Sequence, residues 1–163
     1  MPTATYEKIA TTTGSDSSKS ITFSSIPSTY TDLRVVCVIK LPSGSGGINV
    51  QFNGDTAGNY SKTQLTGDGS SAISTRVNNA SAIVPTYTGV STTPSMITID
   101  VMSYTGSTNK TSLFTFSSGS GGSVSYTVGL WRNTSAINSI TINQDDNFLG
   151  TSSTFTLYGI LKA

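Results

Sequence analysis

Apolar residues fall on every second position along most of this chain. Ile21/Phe23, Leu33/Val35/Cys37/Ile39, Ile48/Val50/Phe52, Ile97/Ile99/Val101, Phe114/Phe116, Val124/Tyr126/Val128/Leu130, Ile140/Ile142 and Phe155/Leu157 alternate mostly with Thr, Ser, Asn or another polar residue, Val36 and Val38 being apolar exceptions. A period of two is that of a β-strand with one buried and one wet face, so each segment predicts a half-buried strand. Less regular candidates at 6–13, 60–66 and 72–77 bring the expectation to about ten or eleven short strands. Helix is disfavoured: the chain holds one Glu, eight Ala and three Gln, and its β-branched residues and 16 Gly interrupt any 3.6-residue stripe.

Turn residues punctuate the strands: Gly14-Ser15-Asp16, Pro27, Asn53-Gly54-Asp55, Gly67-Asp68-Gly69, Pro85, Pro94, Gly106 and Gly150. The stretches Ser43-Gly44-Ser45-Gly46-Gly47 and Ser117-Ser118-Gly119-Ser120-Gly121-Gly122 read as hairpin tips, because strand patterns resume on both sides. Strands spaced this closely leave no room for crossover helices. The expected fold is therefore all-β, an antiparallel two-sheet β-sandwich of jelly-roll-like form. The domain reading is an N-terminal arm over 1–6 and one sandwich domain over 7–163.

Composition narrows the function. The 163 residues include 28 Ser and 27 Thr, only 10% are charged, and the net charge is +1. A neutral chain without a Lys/Arg cluster has no grip on a phosphate backbone, so nucleic acid is not an expected partner. The longest apolar run, 35–39, is far below the roughly 20 residues that cross a bilayer, and no membrane span is expected. The opening residues lack a charged segment followed by an apolar one, which sets the expectation of a protein made in a cytoplasm. The opening Met1 adds the expectation of a whole protein rather than a fragment.

Catalysis finds little to work with. With no His, the usual base for a Ser or Cys nucleophile is missing, and no spacing singles out a carboxylate pair. The expectation is a protein without enzymatic activity. Lone Cys37, on the face of Leu33, Val35 and Ile39, reads as a small buried hydrophobe. Asp55, Asp68, Asp145 and Asp146 offer hard oxygen ligands for calcium, but none lies in a coordination-loop spacing; no metal or cofactor is expected. Four N-x-[ST] sequons, at Asn59, Asn79, Asn109 and Asn133, are about what chance provides at this hydroxyl content. Trp131 falls on the opposite parity from Val124, Tyr126, Val128 and Leu130, which turns it away from their assumed core face. Beside Arg132, an exposed Trp is a candidate subunit contact, with a sugar-stacking platform or a structural plug as alternatives. Tyr30, Tyr60, Tyr87 and Tyr104, near turns, are candidate lining for a sugar site.

The stretch Tyr6-Glu7-Lys8-Ile9-Ala10-Thr11-Thr12-Thr13, followed by Ser20-Ile21-Thr22-Phe23-Ser24-Ser25-Ile26-Pro27-Ser28-Thr29-Tyr30-Thr31-Asp32-Leu33, resembles the opening of a group of small tailed-bacteriophage virion proteins. Phe52-Asn53-Gly54-Asp55-Thr56, Asn59-Tyr60-Ser61 and the closing Phe155-Thr156-Leu157-Tyr158-Gly159-Ile160 are similar to further signatures of that group, while 65–152 is only loosely similar. The resemblance implies a β-sandwich on the outside of a phage particle, either a capsid cement (decoration) protein or part of a tail fibre, without catalytic residues. A fibre needs a shaft of heptads or β-helical repeats, and none is present here, which favours cement.

A cement would bind the major capsid protein on the outer surface of the head, and lattice symmetry would make it a homotrimer at a local threefold axis. Its expected contacts are the arm Met1, Pro2, Thr3, Ala4, Thr5 and Tyr6, together with Trp131 and Arg132. The alternatives are a tail-fibre tip that binds a host glycan and a free carbohydrate-binding module. A glycan site should show an aromatic platform with convergent polar groups; a cement should show a flat apolar underside and an ordered arm.

Overall fold

The alternating pattern becomes thirteen strands among residues 5–86 and 89–161, which the computed structural model describes. In chain order they are β1 (Tyr6–Thr13), β2 (Ser20–Phe23), β3 (Asp32–Ile39), β4 (Ser45–Gly46), β5 (Ile48–Phe52), β6 (Tyr60–Gly67) and β7 (Ala72–Ala80). There follow β8 (Val90–Ser91), β9 (Ser95–Val101), β10 (Lys110–Ser117), β11 (Val124–Trp131), β12 (Ile140–Gln144) and β13 (Thr154–Ile160). No helix interrupts them among the described residues.

Eight strands form one sheet in the order β1-β13-β3-β9-β10-β11-β6-β7, with every neighbouring pair antiparallel. Three more, β2-β12-β5, form the facing sheet, and β4 with β8 makes a small ribbon. The expected antiparallel sandwich is thus built from two layers of unequal width. Their inner faces close a single cluster that includes Val35, Cys37, Ile97, Ile99, Phe155 and Leu157 from the large sheet and Val50, Phe52, Ile140 and Ile142 from the small one. Register aligns these rows: Val35 lies opposite both Ile99 and Leu157, and Cys37 opposite both Ile97 and Phe155. Each such side chain contributes about 1.5–3 kcal/mol by leaving water, so the alternation drives the closing of the layers. Cys37 is fully buried, and burial pushes its thiol pKa up.

The many hydroxyls acquire a structural role on the outward faces. Thr11 meets Thr156 at 3.1 Å, Thr22 meets Thr141 at 3.0 Å, and Thr98 meets Thr115, each a pair of directly opposed residues. Cross-strand hydroxyl bonds take the place that ion pairs hold on more charged sheets.

One strand inverts the expected facing. In β11 the outward residues are Val124, Tyr126 and Val128, while Ser125, Thr127, Gly129 and Trp131 point inward and are buried. The cause lies next door. Phe114 and Phe116 of β10 fill the core beside their partners Thr127 and Ser125, so the inward residues of β11 must be small. At Gly129 even a Cβ would come within 2.5 Å of Ile83 Cδ1 and 2.9 Å of Phe114 Cε2. Volume, not hydrophobicity, sets which face of this strand is inside.

Candidate functional site

Trp131, expected at the surface, is completely buried, and the reading of it as an exposed contact anchor is corrected. It closes the inward row of β11 at the position where the small residues end. Its ring stacks on Tyr60 with centroids 6.3 Å apart and planes 16° apart, and packs against Phe52 of the opposite sheet at 5.7 Å. Its indole N–H donates to Asp55 Oδ2 at 2.7 Å.

The loop between β5 and β6 is folded around that carboxylate. Asn53 and Gly54 both adopt positive φ, 53° and 66°, and the chain reverses with the Asp55 N–H donating to the Phe52 carbonyl at 3.0 Å. This is what an Asn-Gly pair is suited to, since both tolerate the left-handed region. Asn53 then fastens the loop to the chain before β12, its Nδ2 donating to the Ala136 carbonyl at 2.8 Å and its Oδ1 accepting from the N–H groups of Asn138 and Ser139. Asp55 also accepts from Asn59 Nδ2 and the Ala57 N–H, both at 2.9 Å, and Tyr60 Oη accepts from the Phe52 N–H at 2.9 Å. The segments Phe52-Asn53-Gly54-Asp55 and Asn59-Tyr60 are therefore tied together as one structural unit.

The Asn59 amide and the Trp131 indole, with help from the Ala57 N–H, hold the Asp55 carboxyl below the usual carboxylate range against the opposing effect of burial. A lowered folded pKa gives stability that is present above the unfolded value of about 3.9 and is lost as pH falls through the folded value. We therefore expect wild type to be more stable than Asp55→Asn at about pH 6 and the gap to close by about pH 2 in urea titrations. A gap that stays constant over this range would show that the carboxylate contributes nothing as an anion.

Arg132 is also used within the chain. Its guanidinium donates to Ser61 Oγ, to the Gly58 carbonyl at 2.7 Å and to Asn79 Oδ1 at 3.0 Å, clamping the hairpin of β6 and β7. Of the expected arm, Met1, Pro2, Thr3 and Ala4 lie outside the described residues. Thr5 accepts the Leu161 N–H at 3.0 Å and Tyr6 pairs with Ile160, so 5–6 are part of the edge ladder rather than a free arm. Tyr6 also has the Arg34 guanidinium 5.6 Å over its ring.

The other candidates disperse. Tyr60 and Tyr104 are buried, Tyr30 is half-buried with its hydroxyl on Glu7, and Tyr87 lies outside the described residues. Asp68 is bound by the Ser70 and Ser71 N–H groups of its own turn and Asp145 lies against Asn49; no three His, Cys, Asp or Glu residues gather among the described residues. Lys110, not singled out by the sequence, is buried, with its ammonium donating to the carbonyls of Gly106, Thr108 and Thr134. Its three bonds thereby tie the loop before β10 to the connection between β11 and β12.

What the structure gathers instead is a surface. The residues displaced from the core by the inversion of β11 stand together on the outward face of the large sheet. Tyr126 lies opposite Leu65 of β6, Val128 opposite Leu113 of β10, and Met96 of β9 opposite Val38 of β3. All of them are exposed, Tyr126 at 58% and Leu65 at 56%. On the same face Arg34 of β3 and Asp100 of β9 neutralise each other through two bonds of 2.5 and 2.9 Å. Strands about 4.8 Å apart and residues about 3.3 Å apart give the eight-stranded face roughly 900 Å², comparable to one side of a standard protein interface of about 800 Å². Sequence ranking by hydrophobicity placed Val124, Tyr126 and Val128 in the core; the signal that they belong outside was Gly129, read against Phe114 and Phe116.

No protein-family model and no curated protein matches this chain.

Proposed function

We propose that this chain is a non-enzymatic structural protein of a tailed-bacteriophage virion, a cement that lies on the outer surface of the head against the major capsid protein. The observation that carries this reading is the near-neutral outward face of the large sheet, with Leu65, Leu113, Val124, Tyr126 and Val128 uncovered side by side on β10, β11 and β6. A soluble chain rarely leaves so many apolar side chains side by side without a partner to cover them. The resemblance of the two ends and the β5–β6 loop to phage virion proteins supplies the class of partner. Against a glycan-binding fibre tip, the central exposed aromatic Tyr126 is flanked by Leu65, Thr115, Val124 and Val128, not by the carboxylates and amides that grip sugar hydroxyls.

The mechanism is mass action: a folded knob that binds only the assembled shell lowers the free energy of that state and raises what is needed to burst it. Heads assembled without this protein are expected to release DNA at a lower temperature or a milder osmotic shock than complete heads, and adding the purified chain back should restore them. Equal resistance of the two kinds of particle would overturn the proposal, as would label confined to the tail tip in images of the virion.

A further inference from the structure

β7 is the last strand of the large sheet, and among the described residues nothing pairs with its outward edge. Seven of its nine residues are exposed, with only Ile73 and Ala80 half-buried. An edge of this kind is an open row of backbone donors and acceptors, and proteins usually blunt it with Pro, Lys, a bulge or a covering loop. The opposite edge is blunted: β1 breaks register between Lys8 and Ala10. In β7 the irregularity is confined to its far end, where Asn79 takes φ 54°, and 72–77 runs in unbroken register with β6. That stretch has no Pro and a single charge, Arg76.

The sequence of that edge is matched to itself. About Thr75 it reads Ile73-Ser74-Thr75-Arg76-Val77, so antiparallel pairing with a second copy centred on Thr75 sets Ile73 against Val77 twice, Ser74 against Arg76 twice, and Thr75 against Thr75. Apolar meets apolar on one face, and no like charges are opposed. Centring on Arg76 would oppose two guanidinium groups; centring on Ser74 would set Ile73 against Thr75 and Val77 against Ser71. We infer that β7 is a homotypic docking edge, through which two copies join their large sheets about a two-fold axis at Thr75. This contact is isologous and closes on itself, which spares the edge from open-ended pairing. It does not rest on the capsid reading, and it leaves the apolar outward face free in both copies.

The test uses the full chain in solution without particles. Sedimentation equilibrium at micromolar concentration should give a dimer. Thr75→Cys should form an intermolecular disulfide on mild oxidation with diamide, because opposed Cβ atoms lie about 4.5–5.5 Å apart, close to bonding distance. Val77→Cys should not, being four residues out of line with its own counterpart; Cys37, buried, does not compete. Thr75→Lys, at an exposed position, should weaken the dimer at least tenfold while circular dichroism stays that of wild type. A monomer or trimer for wild type, equal cross-linking at 75 and 77, or a Thr75→Lys dimer of unchanged strength would each overturn the inference. A chain that is monomeric in solution and still coats heads would do so while leaving the shell reading intact.

Discussion

Trp131→Ala is expected to cost about 3–5 kcal/mol, the range for removing a buried large aromatic. For a chain of this length that corresponds to a fall in Tm of roughly 6–20 °C. The effect is large because one side chain serves three elements: it stacks on Tyr60 of β6, packs on Phe52 of β5 across the core, and satisfies Asp55 in the connecting loop. Removing it opens a cavity between the layers and leaves the carboxylate with one donor fewer. Trp131→Phe separates the two contributions, keeping most of the ring volume and losing the indole N–H, for about 1–3 kcal/mol. Thermal melts followed by circular dichroism decide the matter; a shift below about 2 °C for the Ala variant would place Trp131 outside the group of residues that hold the layers together.

Leu65→Lys combined with Tyr126→Lys is expected to do the opposite: little to the fold and much to docking. Both side chains stand outward on neighbouring strands, directly opposed, so the folded chain loses about 0.5 kcal/mol for each exchange and up to about 1 kcal/mol more for setting two ammonium groups side by side. If this face is the one that packs on the shell, two ammonium groups would have to be buried there without partners. The penalty is several kcal/mol, so affinity for heads should fall at least tenfold, read as copies retained per particle after sedimentation. Retention equal to wild type would move the shell contact elsewhere on the molecule. The same pair carries no weight in the β7 contact, whose edge lies beyond β6.

These two variants mark the boundary between what could be read from the chain and what could not. The strands were legible because a period of two over Leu33/Val35/Cys37/Ile39 or Ile97/Ile99/Val101 sets an unbroken apolar row on one side: that row goes in, and the side carrying Arg34, Thr98 and Asp100 faces outward. β11 defeated the same rule because both of its sides are plausible. Its apolar side is the more hydrophobic, yet its neighbour β10 had already filled the space with Phe114 and Phe116. The choice depended on a residue pair brought together by sheet order, which no local window contains. The partners of Arg132 lay out of reach of a local reading for the same reason: Ser61 and Asn79 come from the β6–β7 hairpin and Gly58 from the loop before it, all more than fifty residues earlier in the chain.

By itself, then, the amino-acid sequence determined the class of fold, the antiparallel pairing, most of the core and the paucity of catalytic groups, since these depend on local alternation, turn residues and inventory. Tertiary structure alone decided that Trp131 is a core keystone, that Asn53 and Asp55 tie a loop, that β7 is an edge left bare among the described residues, and that Leu65, Leu113, Val124, Tyr126 and Val128 share one open face. Those outcomes follow from strand order and from competition for a fixed core volume, in which a bulky side chain on one strand decides which side of its neighbour faces water.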